Sequence, residues 1–376
     1  MKRSVRVLCF VLAVGLFVPA LALPAFAAAP SVSAAAYCLM DGESGRVLLS
    51  ENADRRLPMA STTKIMTCLV ALEAGGLDKI FTVPRECEGI EGSSMYLFQG
   101  ERLTLRQLLY GLMLESANDA AVAISLAVSG SVPAFVEEMN RRAAEWGLRN
   151  THFVNPNGLS AEEHYSSAHD LARLLQKGLE NPDFAVICGT KNYRFTSPDA
   201  PPQSLSNHNR LLKTLPDCIG GKTGFTTLAG RCLVSACRRN GKTLIVSTLN
   251  APDDWNDHRL LFDYGYSLYE WKTLFSPGDV RFSVPVAGAA QEEVCLSNRT
   301  TLTVPLFSGE DFQTVTECPR FLYAPLLRDS AAAEISVWQG GREVGRLPLF
   351  PEEDVAPLHI PTLWEKIRIW FKQLFS

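Results

Sequence analysis

Two strand-like regions, residues 34–50 and 219–250, enclose a long stretch whose apolar residues recur at helical spacing. Ala34–Met40 is apolar, Asp41-Gly-Glu-Ser-Gly45 carries turn chemistry, and Arg46–Ser50 resumes a strand. Far along the chain, Ile219–Gly224 leads into Arg231–Cys237 and, past the Asn240-Gly241 turn, Thr243–Asn250. Between them, a helical run follows Pro58 and stops at Gly75-Gly76; residues 103–114, 117–128, 131–146 and 169–179 read as further helices, and Asp257–Tyr269 as a closing one. Strands flanking a helical block predict an α+β or three-layer domain over residues 30–275. Ser276-Pro-Gly-Asp279 marks a boundary, and the short Val-rich runs beyond it, broken by Gly, Pro and Asp, predict a small all-β domain over 276–350.

The ends of the chain carry different signals. Lys2, Arg3 and Arg6, the uncharged apolar run Val7–Leu23 and the small-x-small site Ala25-Phe-Ala27 read as a signal peptide over residues 1–27, hence as export. Its removal takes the net charge from −4 to −7, which gives no support to a nucleic-acid partner. Residues 351–361, acidic and Pro-rich, read as a tether. In the last stretch, 362–376, Leu363, Ile367, Trp370, Phe371 and Leu374 fall at helical spacing, with Lys366, Arg368 and Lys372 mostly on other sides. That segment is too short and too charged to span a bilayer, but it fits a helix lying in an anionic membrane surface. Of ten cysteines, Cys9 falls in the leader; the nine that follow are scattered without a C-x-x-C and read as free thiols, one bridging pair being left open. The six histidines fall singly, without the spacing of a zinc pair, and read as surface or satisfied core residues.

Three short motifs carry the chemistry. There is no H-E-x-x-H, no G-x-S-x-G and no Walker loop. Ser61-Thr-Thr-Lys64, the only S-x-x-K, opens a helical run. Residues three apart there share a face, so the Lys64 amine comes within reach of the Ser61 hydroxyl. A serine needs such a base to act as a nucleophile, and desolvation or a second cation lowers a lysine enough to serve as one. Ser116-Ala-Asn118 opens the next helical run; a second S-x-N, Ser50-Glu-Asn52, lies in a turn before the Ser-Lys pair and is set aside. Lys222-Thr223-Gly224, the only K-T-G, stands at a strand start, where a cation and a hydroxyl face a ligand carboxylate and a residue without a side chain permits close approach.

Each motif alone has a bland explanation. The ordered set resembles the serine penicillin-recognising signature, and the chain is identified as a member of the low-molecular-mass penicillin-binding proteins, the serine D-alanyl-D-alanine carboxypeptidases. Glu91-Gly-Ser-Ser-Met-Tyr-Leu97, read as a rim of the cleft, Phe153-Val-Asn-Pro-Asn-Gly-Leu159 and His164-Tyr-Ser-Ser-Ala168 also look like that family. The resemblance covers residues 34–275. It implies a penicillin-binding/β-lactamase-like domain, an antiparallel sheet with a helical cluster; beyond 276 it is architectural only, a β domain and an amphipathic tail.

The roles it implies are these. Ser61 attacks the penultimate D-Ala carbonyl of a peptidoglycan stem peptide to form an acyl-enzyme, and Lys64 accepts its proton. Ser116, assisted by Lys222, relays a proton to the leaving amine. Asn118 holds the substrate amide, Lys222 and Thr223 bind the terminal carboxylate, and Gly224 lets the substrate backbone approach. The backbone amides of Ser61 and Phe225 form the oxyanion hole. β-Lactam antibiotics acylate the same serine, and no metal or organic cofactor is implied. Two rivals are weighed: a class A-type β-lactamase, which needs a further glutamate to activate water and has only Glu91 and Glu115 near the motifs, and a catalytically silent wall-binding protein, against which the intact Ser61, Lys64 and Lys222 argue.

Overall fold

The computed structural model describes residues 28–358 and 363–374; the leader read at 1–27 lies outside the described residues. Ala36–Asp41 and Val47–Glu51 form an antiparallel hairpin, and Lys242–Leu249 pairs with the other edge of Ala36–Asp41. Gly230–Arg239 and then Cys218–Thr226 complete a five-stranded antiparallel sheet, so strands from the two ends of the helical block meet at its middle.

Alternation along the strands explains the layers. Ala36, Cys38 and Met40, with Val234, Ala236 and Ile245, join the core formed with the helices Lys64–Ala74, Asn118–Ser129, Val132–Glu145 and Ala168–Leu179. Tyr37, Leu39, Leu244 and Val246 point the other way and pack under the helix Asp254–Ser267 through Leu261, Phe262 and Tyr266. Lys242–Leu249 lies between both layers and is buried at every residue. The three-layer α+β arrangement expected from the sequence is thus the one found.

Local differences have local causes. The 103–114 segment, read as one helix, begins as the short strand Arg102–Thr104, becomes the helix Leu105–Tyr110 behind a Thr104/Gln107 capping box, and ends in a π-helical turn, Gly111–Glu115. The helix Pro182–Gly189 and the hairpin Asn192–Phe195/Gln203–Ser206 were not read from the sequence. The closing helix stops at Ser267, and Tyr269–Phe275 forms a strand that pairs with Leu302–Phe307 across the 276 boundary.

The second unit is built on a six-stranded sheet ordered Phe312–Glu317, Ala333–Gln339, Arg342–Pro351, Glu293–Asn298, Arg281–Ala287 and Leu322–Tyr323, with its own core around Leu296, Ile335, Leu347 and Leu349. The segment read as a tether is held to this unit as far as Leu358: Val355 is buried and exchanges backbone bonds with Leu326, and Leu358 N donates to Gly288 O. Burial of Val355 outweighs the polar, Pro-rich character of its neighbours. Residues 359–362 lie outside the described residues; the helix Leu363–Leu374 follows, and leaves Leu363, Trp364, Ile369, Trp370 and Phe371 exposed.

Candidate active site

Ser61 stands in a 3-10 turn, Ala60–Thr63, that runs directly into the helix beginning at Lys64. Side chains three apart eclipse in a 3-10 turn, so the tighter winding brings Lys64 under Ser61. The hydroxyls of Thr62 and Thr63 brace the turn by donating to Met59 O and Ala60 O at 2.7 and 2.8 Å. Thr63 Oγ1 also accepts from His164: Val154 N donates to His164 Nδ1, so the ring proton is on Nε2, 2.8 Å from Thr63. Burial holds His164 down to about 4, so it stays neutral. It is a satisfied core histidine, as read.

Behind Ser61, Lys64 is fully buried. Its Nζ donates to Ser61 Oγ at 2.9 Å, to Asn118 Oδ1 at 2.7 Å and to the backbone carbonyl of Asn157. None of these partners is anionic. Desolvation, reinforced by the Lys222 charge and opposed only by Asp119, lowers Lys64 well below its ordinary value. Lys222 Nζ donates to Ser116 Oγ at 3.1 Å and to Thr223 O at 3.0 Å, and burial lowers it to about 7. Two buried amines, each on a serine hydroxyl and each lowered by burial, are placed to take and return protons.

The framework positions these groups tightly. Ser116 adopts a left-handed conformation, φ 60°, where the π-helical turn ends, which aims its side chain back at Lys222. Asn118 Nδ2 donates to Glu91 O and its backbone N to Ser93 O, while Asp119 accepts from Ser94 Oγ and the amides of Met95 and Leu97. The Glu91–Leu97 loop is therefore tied to the helix that starts at Asn118. A Cβ on Gly158, at φ +89°, would lie 2.1 Å from Ala60 O, and one on Gly224 2.9 Å from Ser61 N. The space at Gly224 is taken by the nucleophile's own backbone, a demand not visible in the sequence.

A cleft of about 300 Å3 opens here, lined by Ser61, Ser93, Ser116, Thr223, Gly224 and Phe225. Lys64, Asn118 and Lys222 stand behind that lining rather than in it. Asn118, expected to hold the substrate amide, already spends one lone pair on Lys64 and one N–H on Glu91 O, which leaves one of each for a ligand. Of the K-T-G motif, Thr223 and Gly224 line the cleft and Lys222 does not.

Four further lining residues were missed: His208, Arg231, Asp254 and Trp255. Arg231 lies at the rim, bound to Asp254 Oδ1 at 2.7 Å and stacked over Trp255. His208 bonds Glu115, 3.3 Å away, and Glu115 also accepts from Ser206 N. The four come from a loop, a strand and a helix, with no common spacing. The one sequence signal was Glu115 beside Ser116. Among the described residues no group of three or more His, Cys, Asp or Glu side chains is arranged to hold a metal ion.

The family model described as D-alanyl-D-alanine carboxypeptidase, a peptidase family, matches residues 24–253 of this chain. The chain belongs to the D-alanyl-D-alanine carboxypeptidase family. It is 32% identical over 325 residues to the carboxypeptidase DacF of Bacillus subtilis, covering 84% of this chain and 81% of that one. With DacC of Escherichia coli it shares 33% identity over 371 residues, 93% and 91% of the two chains. Among solved structures it is similar to penicillin-binding protein 5 of Haemophilus influenzae, with TM-score 0.63, 27% identity and coverage of 88% and 99%. The fold is accordingly the penicillin-binding type, with the helical cluster and antiparallel sheet set around Ser61, and family members of this kind are serine peptidases of the cell wall.

Proposed function

We propose that this family member removes the terminal D-alanine from peptidoglycan stem peptides ending in D-Ala-D-Ala, with Ser61 as nucleophile and Lys64 as its base. The observation that carries the assignment is the 2.9 Å contact of Lys64 Nζ with Ser61 Oγ in a site that gives this amine no carboxylate. A neutral Lys64 takes the Ser61 proton as Oγ bonds to the penultimate carbonyl carbon. The backbone amides of Ser61 and Phe225 receive the developing oxyanion. The proton reaches the leaving D-Ala nitrogen through Ser116, resupplied by Lys222, and the C–N bond breaks. Water then cleaves the acyl-serine ester. Thr223, with the Lys222 charge behind it, receives the substrate carboxylate, and Asn118 meets the peptide amide with its remaining donor and acceptor. Penicillins, which carry the corresponding carboxylate and acyl carbon, acylate the same serine.

The test uses the purified chain and a diacetylated tripeptide ending in D-Ala-D-Ala. Free D-alanine is released, and Ser61→Ala abolishes both release and the covalent penicillin adduct. A drug adduct on another residue would sink the assignment. A β-lactamase reading is disfavoured because no glutamate lines the cleft, Glu115 being engaged by Ser206 N and His208 and Glu91 being exposed. Rapid penicillin turnover without D-Ala release would favour it, and absence of any adduct would favour a silent binding protein.

We further propose that the chain is exported through its leader and rests on an anionic membrane surface through the C-terminal helix. The exposed Leu363, Trp364, Trp370 and Phe371 support the second step. Flotation with anionic vesicles reads it: the full chain floats and a chain lacking 362–376 stays behind, whereas equal flotation rejects the anchor.

A further inference from the structure

The strand that carries Lys222 enters the sheet at Cys218, and the residue opposite it on Gly230–Arg239 is Cys237. The surrounding bonds identify the kind of pair. Arg238 N donates to Asp217 O at 2.8 Å, whereas Cys218 N donates to Leu215 O and Cys237 O accepts from the Tyr266 hydroxyl. The cysteines are thus a non-hydrogen-bonded antiparallel pair, in which opposing Cα atoms come to about 4.5 Å and side chains are closest. A disulfide bridges Cα atoms about 4.4–6.8 Å apart. Both are free thiols.

Their surroundings divide the labour. Cys237 is fully buried beneath the closing helix, while Cys218 is partly exposed at the sheet's edge, so a reagent meets Cys218 first. The neighbouring Cys237 thiol lowers Cys218 below its ordinary value, which favours the attacking thiolate; burial pushes Cys237 up. The ladder is also irregular here, with Ile219 left over between Cys218 and Gly220, just before the glycines that lead to Lys222.

We propose that Cys218 and Cys237 are a site of oxidative modification, a cross-strand disulfide made by exchange with a disulfide-bearing oxidant, which staples the lysine-bearing strand to the sheet. Cys218 thiolate attacks one sulfur of the oxidant and expels a thiolate. Cys237 then attacks the Cys218 sulfur of the mixed disulfide and expels the second. The two protein protons pass to the two released thiolates, and the two electrons reduce the oxidant to two thiols.

The experiment incubates the reduced full-length chain with oxidised glutathione, then alkylates and maps it by mass spectrometry. The expected product has lost two hydrogen atoms, links the peptides containing Cys218 and Cys237, and protects both from alkylation. Its thermal midpoint lies several degrees above that of the reduced chain and returns with dithiothreitol; Cys218→Ser gains neither link nor shift. A glutathione adduct that persists on Cys218, a link between any other cysteines, or full alkylation of both overturns the site. A link that leaves the midpoint unchanged overturns the stapling. The mapping is read on the unmutated chain, so it stands whether or not the variant folds.

Discussion

The cleft and the start of the middle strand of the same sheet both bury lysines, and they do so on opposite terms. Lys64 and Lys222 are at most 1% exposed and bond only neutral oxygens, from hydroxyls, an amide and backbone carbonyls. Lys242, 8% exposed, bonds the carboxylates of Asp41 and Glu43 and lies over the Tyr269 ring. At Asp41, burial alone would raise the carboxyl, but Lys242 and the Tyr269 hydroxyl hold it below its ordinary value. A buried lysine facing carboxylates is held in ion pairs and serves architecture. A buried amine without them is pressed toward neutrality and becomes available as a base. Burial is common to both places; the partner separates strut from catalyst.

The sharpest way to break this contrast is to give the cleft the partner it lacks. Asn118→Asp places a carboxylate where an amide oxygen now accepts from Lys64 at 2.7 Å. The added anion raises Lys64, so the lysine keeps its proton at neutral pH and cannot relieve Ser61 of its own. Acylation by a fluorescent penicillin should fall by about 10²–10⁴-fold at pH 7, the range a general base contributes. It should partly recover as the pH is raised, and the melting temperature should fall, because a carboxylate cannot donate to Glu91 O. The lost bond to Glu91 O would also slow the reaction, but that loss is independent of pH. A decrease that does not recover in alkali would remove Lys64 from the base role.

A smaller effect tests Lys222, whose amine is lowered by burial to about 7. If its charge draws in the substrate carboxylate, the second-order acylation constant declines above pH 7, approaching about tenfold per pH unit. Lys222→Arg, which keeps its charge, should flatten that limb. Stability moves the other way. A lysine lowered in the folded state binds fewer protons there than in the unfolded chain between pH 7 and its ordinary value of 10.5. Wild-type stability therefore rises with pH through that window, and the cost of burying the charge is fully present below it. Lys222→Met should melt higher than wild type at pH 6, by on the order of a few kcal/mol, and the two should converge toward pH 10.5. Parallel melting curves across that range would contradict the lowered amine.

The legible parts were those written in short local patterns. The short apolar runs in 34–40 and 243–250 marked strands, and helical spacing with Gly stops marked most of the cluster. The eclipsing of Ser61 and Lys64 follows from an i, i+3 relation, so that pair could be read before any fold. What could not be read depends on chain segments meeting at a distance. His208, Arg231, Asp254 and Trp255 reach the cleft from three elements with no shared period. The need for glycine at 158 and 224 comes from the backbone of residues 60 and 61 lying against them. Tyr269 reads in the sequence as the end of the closing helix, whereas it begins the strand Tyr269–Phe275, whose partner, Leu302–Phe307, lies in the other unit. The K-T-G pattern suggested a lysine facing the ligand, whereas the pleat places its amine behind Ser116.

The smallest expected effect on catalysis comes from the mirror-image change, Asp41→Asn. It removes a carboxylate from a buried lysine, where Asn118→Asp adds one. The amide oxygen can still cap the turn by accepting from the amides of Glu43 and Ser44, now at 3.1 and 2.8 Å, while the NH2 replaces the oxygen that accepts from Tyr269 and Lys242. Lys242 keeps Glu43, 3.1 Å away and half exposed, but loses its buried counter-charge. Breaking one side of a buried pair costs about 3 kcal/mol, and the half-exposed Glu43 returns part of it. The melting temperature should therefore drop while the penicillin acylation constant stays at the wild-type value. Adding Lys242→Met removes the stranded ammonium and should restore most of the loss, since an apolar side chain of that length suits a site walled by Tyr269. An acylation constant that falls together with stability in Asp41→Asn would mean that the two lysine environments are coupled through the sheet, and partner chemistry alone would no longer separate them.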